Sequence, residues 1–445
     1  MKKTKITLAV ILAVLVGAAL ASAGAVFQAY NNIGTDAVPR PTVEVMGAPL
    51  SPVNAEWREP VPLPEILSWS PWDPGIHKDL AWEEPGAAAD LGEVGQAPLA
   101  LLLSLSHPDG FADTLKLTKD GAVLFDGTGV DLTGIPKLAE GTYELAVDSV
   151  RTPSADGRGH GKLSYRCVFS VAPAPEPELR TGRLELQQGD ILSLKLLHVP
   201  EGTEPKAETD LGMAVFLPAG EEGAWFAAVP VGNTRKTGVY AVRAFAGDKE
   251  FTVDVTVLAF DFDQQNLIID TSDPVISEAN SPAAYREYRA KIPPLYPTFD
   301  TERYWEGTFD PPATGRISTE FGEIRYTNGD YSNPRSHNGM DIAVPTGTPV
   351  TAPNAGRVVL AERLLNTGNT IVIEHGGGLK SYYFHMSRID VTPGDMVKKG
   401  DLIGAVGSTG YSTGPHLHYE MRIGDQPVSP SMLFDAGAGL YGAEE

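Results

Sequence analysis

Cysteine is almost absent. The 445-residue chain has one, Cys167, so it can form no internal disulfide and build no thiolate metal site, and any metal must be held by histidine and carboxylate. Basic residues are scarce beside acidic ones. With 35 Lys+Arg against 57 Asp+Glu and a net charge of −22, the summed field repels polyanions and argues against nucleic acid as a partner. The chain has no His-Glu-x-x-His helix and no Gly-x-Ser-x-Gly elbow, and the glycine-rich stretch 407–414 lacks the lysine of a phosphate-cradling loop, which removes the commonest metallopeptidase, serine hydrolase and nucleotide readings. What remains is an ordinary globular balance of 42% apolar and 21% charged residues, against both wholesale disorder and a multispanning membrane protein. The length suits about three domains.

The first thirty residues read as an export signal. Lys2, Lys3 and Lys5 precede an uncharged apolar run from Ile6 to Ala29, a basic region followed by a hydrophobic one. The run fits two fates: cleavage near Ala21-Ser22-Ala23, or retention as a single membrane anchor. Either way the basic side stays in the cytoplasm, and residues beyond 30 lie outside it, in the envelope or secreted.

Proline divides the rest. From 30 to 96 prolines recur every few residues around Trp57, Trp69, Trp72 and Trp82, which predicts an extended spacer that straps onto the next domain and buries its rings. Short alternating runs separated by Gly, Asp and Pro predict a β-sandwich over 97–172, and after the stiff Pro-rich linker 173–178 a second β domain over 179–262. Strands are expected at Leu184–Leu186, Ile191–Leu197, Met213–Phe216, Gly238–Phe245 and Phe251–Val257. A connector over 263–312 contains a helix at Ala283–Lys291, stopped by Pro293-Pro294. Residues 313–435 form the last domain and 436–445 a tail. The expected fold is mainly β, with two sandwich-like domains ahead of an antiparallel β-sheet domain.

The chemistry lies in that last domain. Five of the nine histidines fall between 337 and 418, whereas His77, His107, His160 and His198 have no second ligand at metal spacing and read as solvated or core residues. In Ser336-His337-Asn338-Gly339-Met340-Asp341 the even spacing of His337 and Asp341 puts both on one face of a strand, and an imidazole beside a carboxylate suits zinc. In Gly414-Pro-His416-Leu-His418-Tyr-Glu420 the two histidines share a face; one ligand and one general base is the economical division. His385 shares the face of Ser381 and Tyr383, where a core histidine is the default. Two histidines and one aspartate would leave a fourth tetrahedral position open, the arrangement of a catalytic zinc site.

Beyond these spacings, residues 315–423 resemble the LytM/lysostaphin-type zinc metalloendopeptidases of bacterial peptidoglycan. The resemblance rests on Ser336–Asp341, on Ala352-Pro-Asn-Ala-Gly-Arg-Val-Val359, on Ile373-Glu-His-Gly376, on Tyr383-Phe-His-Met386, and on Gly407-Ser-Thr-Gly-Tyr-Ser-Thr-Gly-Pro-His-Leu-His-Tyr-Glu420. It implies a small antiparallel β-sheet domain with a groove, one Zn2+ per chain held by His337, Asp341 and His418, and His385 and His416 as catalytic residues, one a general base and one helping to hold the oxyanion. It leaves His375 structural and places Tyr383 in the groove lining. The expected partner is a peptidoglycan peptide; the alternative is a catalytically silent wall-binding or regulatory protein. Pro393–Gly404 also looks like the hairpin of biotinyl or lipoyl carriers, but Lys398 and Lys399 flank rather than occupy the modified position. Within 313–435 there are 10 basic and 12 acidic residues, a net of −2, so the acidity belongs to the rest of the chain.

Overall fold

The computed structural model describes residues 2–63, 75–83, 88–97, 99–106, 110–128, 137–154 and 158–434; the tail from 436, His107, Trp69 and Trp72 lie outside them. The chain separates into two compact units, Met1–Pro175 and Glu176–Glu445.

In the first unit a helix covers Lys2–Asn32, and its stretch Ala9–Asn32 contains an 18-residue window of mean hydropathy 2.5 with none of that window buried. A sheet comes next, in the order His77–Glu83, Asn54–Pro60, His160–Val171, Gly141–Arg151, Phe111–Lys119, Ala122–Thr128, with Ala89–Val94 parallel to His160–Val171. A smaller sheet of Ala48–Leu50, Thr42–Val45 and Leu103–Ser106 shares its core, where Val43, Val45, Leu115, Tyr143, Leu145, Tyr165 and Phe169 are buried. The alternation of apolar residues along each strand turns one face inward.

The expectation of an extended spacer over 30–96 is corrected here. Asn54–Pro60 is an inner strand, bonded to His77–Glu83 on one side and His160–Val171 on the other. Its one proline is its last residue, so no ladder hydrogen bond is lost within it. Trp57 is 3% exposed and stacks on Phe111 with centroids 5.9 Å apart.

The second unit begins with two four-stranded sheets. One runs Glu178–Thr181, Ile191–Leu197, Trp225–Pro230, Leu217–Pro218; the other runs Glu185–Gln187, Lys249–Leu258, Gly238–Ala246, Lys206–Thr209. The strand expected at Met213–Phe216 is not formed, and Trp225–Pro230, not among the expected strands, pairs with Ile191–Leu197. Met213 instead packs on Gly378 and Gly424 of the C-terminal region, where any side chain would strike it. Ile191 and Phe226 likewise belong to the same buried cluster as Trp305, Met340, Tyr383 and Tyr419. This β region therefore shares a core with the C-terminal region.

In the connector, Gln264–Leu267 lies parallel to Ile324–Thr327, which pairs on its other side with Asp330–Ser336. The helix predicted from 283 spans Pro282–Lys291: the Ser281 hydroxyl accepts from Ala284 N at 3.2 Å, proline opens the first turn, and a single 3-10 turn at Pro293–Leu295 ends it.

The C-terminal sheet runs Arg316–Thr319, Met340–Ala343, Leu417–Ile423, Leu379–Met386, Gly368–Gly376, Gly356–Leu364, Met396–Val397, with Gln426–Val428 beside Leu417–Ile423. Pairing of Met340 with Tyr419 and of Tyr419 with Tyr383 turns these residues into the main core. The opposite face carries Asp341, His418, Phe384, Glu420, Tyr382, Arg422, Lys380 and Glu374, most of them polar.

Those charges are buried in pairs. Lys380 Nζ lies 2.6 Å from Glu374 Oε2, with side chains 0% and 1% exposed; it also donates to Thr298 O of the connector. Glu374 Oε1 accepts from Gly376 N and Gly378 N, each at 3.0 Å, and so fixes the turn between two strands. Removing one member strands a charge in the interior. Lys380→Met should therefore destabilise the full chain by about 3–5 kcal/mol, read as a lowered denaturation midpoint, and Glu374→Gln added to it should recover much of the loss. A single variant as stable as the parent would contradict this pairing.

Candidate metal centre and active site

Asp341 and His418 sit directly opposite each other on neighbouring antiparallel strands, so their side chains emerge on the same face. His337 reaches them differently from the strand expected over 337–341. The chain leaves the Asp330–Ser336 strand, turns through Asn338 and Gly339, and enters Met340–Ala343. Gly339 allows the bend: a Cβ there would stand 2.3 Å from Tyr419 O. Asn233 of the upstream β region, 5% exposed, holds the turn by donating from Nδ2 to Ser336 Oγ at 2.9 Å and His337 O at 3.3 Å.

The three side chains close a triangle. His337 Nε2 is 3.1 Å from Asp341 Oδ1 and 2.9 Å from His418 Nδ1, and His418 Nδ1 is 2.9 Å from Asp341 Oδ1. Bonds of about 2.0–2.1 Å to one ion would set tetrahedral ligand atoms about 3.3 Å apart, so a small outward shift would seat a divalent metal. The unused atoms are already committed. His337 Nδ1 faces Glu320 O at 2.9 Å, which places its proton there and leaves the Nε2 lone pair inward. His418 Nε2 faces Glu420 Oε2 at 3.6 Å, and Glu420 is itself paired with Arg422. No other group of three or more such donors occurs among the described residues.

The protonation of the triangle is set by burial and charge. Burial alone would raise Asp341, but hydrogen bonds and attraction from His337 and His418 hold its carboxyl well below the usual range. Burial opposes charge on His418 too, yet Asp341 and Glu420 on its two sides push it up to about 9. For His337, burial outweighs the pull of Asp341 and lowers it.

Two further imidazoles stand beside the triangle. His416 Nε2 is 3.9 Å from Asp341 Oδ1, and its Nδ1 lies 2.8 Å from Gly414 O. The His385 ring is 4.9 Å from that of His416 and 6.3 Å from that of His418, with Nδ1 2.8 Å from Thr409 O. A carbonyl can only accept, so each Nδ1 carries the proton and each Nε2 presents a lone pair. Both rings are biased to the neutral form: burial, with His416 and His418 nearby, pushes His385 down to about 3, and burial lowers His416 despite Asp341. The glycine-rich stretch thus supplies the carbonyls that orient both histidines.

Strict alternation would have left His385 on the core side with Tyr383. Instead its φ is 62°, a left-handed residue that breaks the alternation and turns the ring to the metal face. Tyr383 itself, expected in the groove lining, is fully buried in the core, where its hydroxyl donates to Ser381 Oγ at 2.8 Å. His375 is also core: Nδ1 meets Ala355 O at 2.7 Å, Nε2 meets Ser381 Oγ at 2.8 Å, and burial pushes it down to about 4. Spacing gave no sign of Arg325, whose guanidinium pairs with Asp341 Oδ2, or of Asn233. Of the outlying histidines, His77 and His160 come within 6.2 Å, ring to ring, without a third ligand among the described residues.

Residues 335–430 match the model of peptidase family M23. Over 115 residues the chain is 48% identical to the DD-carboxypeptidase/endopeptidase Mpg of Neisseria meningitidis, and over 114 residues 45% identical to the peptidoglycan DD-endopeptidase ShyA of Vibrio cholerae, in each case 26% of both chains. It is 43% identical over 93 residues to lysostaphin of Staphylococcus simulans, 20% of this chain and 19% of that one. The match thus spans about a quarter or less of the length of these curated relatives. The solved catalytic domain of lysostaphin is 34% identical, with 26% of this chain and 90% of that one covered and a TM-score of 0.24. The chain carries a LytM-type peptidase family M23 domain at its C-terminus.

Proposed function

We propose that the protein is a zinc-dependent endopeptidase that hydrolyses peptide cross-links of bacterial peptidoglycan outside the cytoplasm. The observation that carries this reading is the convergence of three ligand atoms within about 3 Å of one another beside two neutral imidazoles, 4.9 Å apart ring to ring, each with its Nδ1 proton held by a carbonyl and Nε2 left as acceptor. Two nitrogens and one carboxylate oxygen suit zinc. The similarity to peptidoglycan DD-endopeptidases supports the substrate, and the apolar N-terminal helix supports export or anchoring.

When bound, zinc would supply a Lewis acid to polarise the scissile carbonyl and to acidify a water. The protein's own residues then divide the proton handling. Thr409 O and Gly414 O hold His385 and His416 with Nε2 as acceptor, so either can take the proton of the attacking water. The imidazole that accepts it becomes a donor, able to meet the developing oxyanion and then the leaving amine. Asp341 faces His416 and favours its charged form at that moment. A catalytically silent role would call for a missing ligand or base, and all five side chains are present.

Metal content and amine release test the reading together. The full-length protein should hold one zinc per chain and release new free amines from peptidoglycan, and His418→Ala or Asp341→Ala should abolish both; a parent protein with neither zinc nor amine release would sink the proposal. His385→Ala and His416→Ala should instead keep the zinc and KM while lowering kcat by about 10²–10⁴-fold. Loss of zinc from either would make that histidine a ligand.

A further inference from the structure

Asp341 uses its two oxygens differently. Oδ1 faces His337 Nε2 and His418 Nδ1, whereas Oδ2 pairs with Arg325 Nη2. Arg325 lies outside the family match at 335–430 and comes from a strand that does not belong to the sheet bearing the ligands. That strand, Ile324–Thr327, is inner in its own three-stranded sheet, with Arg325 in register with Gln265 on one side and Arg335 on the other. Arg325 thus projects from a backbone bonded along both edges, one of them by the connector strand Gln264–Leu267, and its long side chain reaches Asp341. The pair is sheltered, with side chains 21% and 8% exposed for Arg325 and Asp341.

The form of the contact is informative. A guanidinium fork engages both oxygens of a carboxylate through two parallel bonds. Here Arg325 Nε is buried and makes no hydrogen bond, and the contact runs from Nη2 to Oδ2. Oδ1 is left to the triangle. A carboxylate with both oxygens free can grip a metal with one or with both, and the second grip would take the position a catalytic site must keep open. A guanidinium on Oδ2 competes for that oxygen's lone pairs and sets a positive charge where the ion would otherwise approach.

We infer that Arg325 is a positioning residue that confines Asp341 to holding the metal through Oδ1 alone. This rests on the metal centre proposed for His337, Asp341 and His418. Arg325 acts through Asp341, so its signature is the coordination of the ion.

The test uses the full-length protein, freed of metal and reloaded with Co2+, whose visible absorption is intense in four-coordinate and weaker in five-coordinate sites. Arg325→Met should bind Co2+ stoichiometrically with a band at least twofold weaker than the parent's. Arg325→Lys, which keeps a charged donor for Oδ2, should restore most of the intensity. If Arg325→Met is not recovered folded by circular dichroism, Arg325→Gln replaces it under the same criterion. A parent-like band in the neutral variant overturns the role of Arg325 alone, as does a lysine variant as weak as the neutral one. A parent protein that takes up no Co2+ overturns the metal centre and this inference with it.

Discussion

The direct pairing of Asp341 with His418 across two antiparallel strands is the constraint on which the site depends. Side chains alternate with a period of two, so a slip of one residue would send His418 and Glu420 into the core and bring Tyr419 to the face of Asp341. The register is held from the other side of the sheet. Tyr419 lies between Met340 and Tyr383 in the main core, all three at most 5% exposed, and moving any of them outward would cost its apolar burial, about 1.5–3 kcal/mol for a side chain of this size. The polar face is positioned because the apolar face is committed.

That polar face would be unfavourable without its pairings. Glu374 with Lys380, and Glu420 with Arg422, place four charges at 5% exposure or less, where an unpaired ion is strongly disfavoured. Each pair also reaches a functional or architectural element. Glu420 stands behind His418 and steers its Nδ1 inward. Arg422 lies 4.7 Å from the Tyr296 ring and Lys380 bonds Thr298 O, which seats the connector on the sheet. The chain before the catalytic motifs is therefore part of the packing that holds their geometry.

The sequence is most legible where chemistry and spacing coincide. The mainly β character is visible in short alternating runs, the nearness of His337 to Asp341 in their spacing, and the addition of His418 in the motifs that carry the family resemblance, although His337 arrives by a turn between two sheets rather than along one strand. Elsewhere a single local or long-range fact overrode a period. Proline density over 30–96 hid Asn54–Pro60, because what matters to a strand is which position the proline holds. The alternation that placed His385 in the core was broken by one left-handed residue, whose cost of about 1–3 kcal/mol no neighbour in sequence announces. Arg325 and Asn233 reach the site from 16 and 104 residues before Asp341 and His337, with no motif to mark them.

These distant contributions bear on what counts as the catalytic module. The family match begins at 335, yet the turn that follows His337 is held by Asn233, the proton on His337 is fixed by Glu320 O, and Arg325 arrives on a strand paired with residues 264–267. Phe226 of the upstream β region meets Trp305 at 5.8 Å within the core that carries Met340 and Tyr419. A fragment cut at 313 would keep every motif residue but expose that shared core, lose the Asn233 clamp and unpair one edge of the strand bearing Arg325. The side chains and strands that hold the site therefore all lie within the compact unit that begins at Glu176, and the second β region contributes to that framework through Asn233 and Phe226.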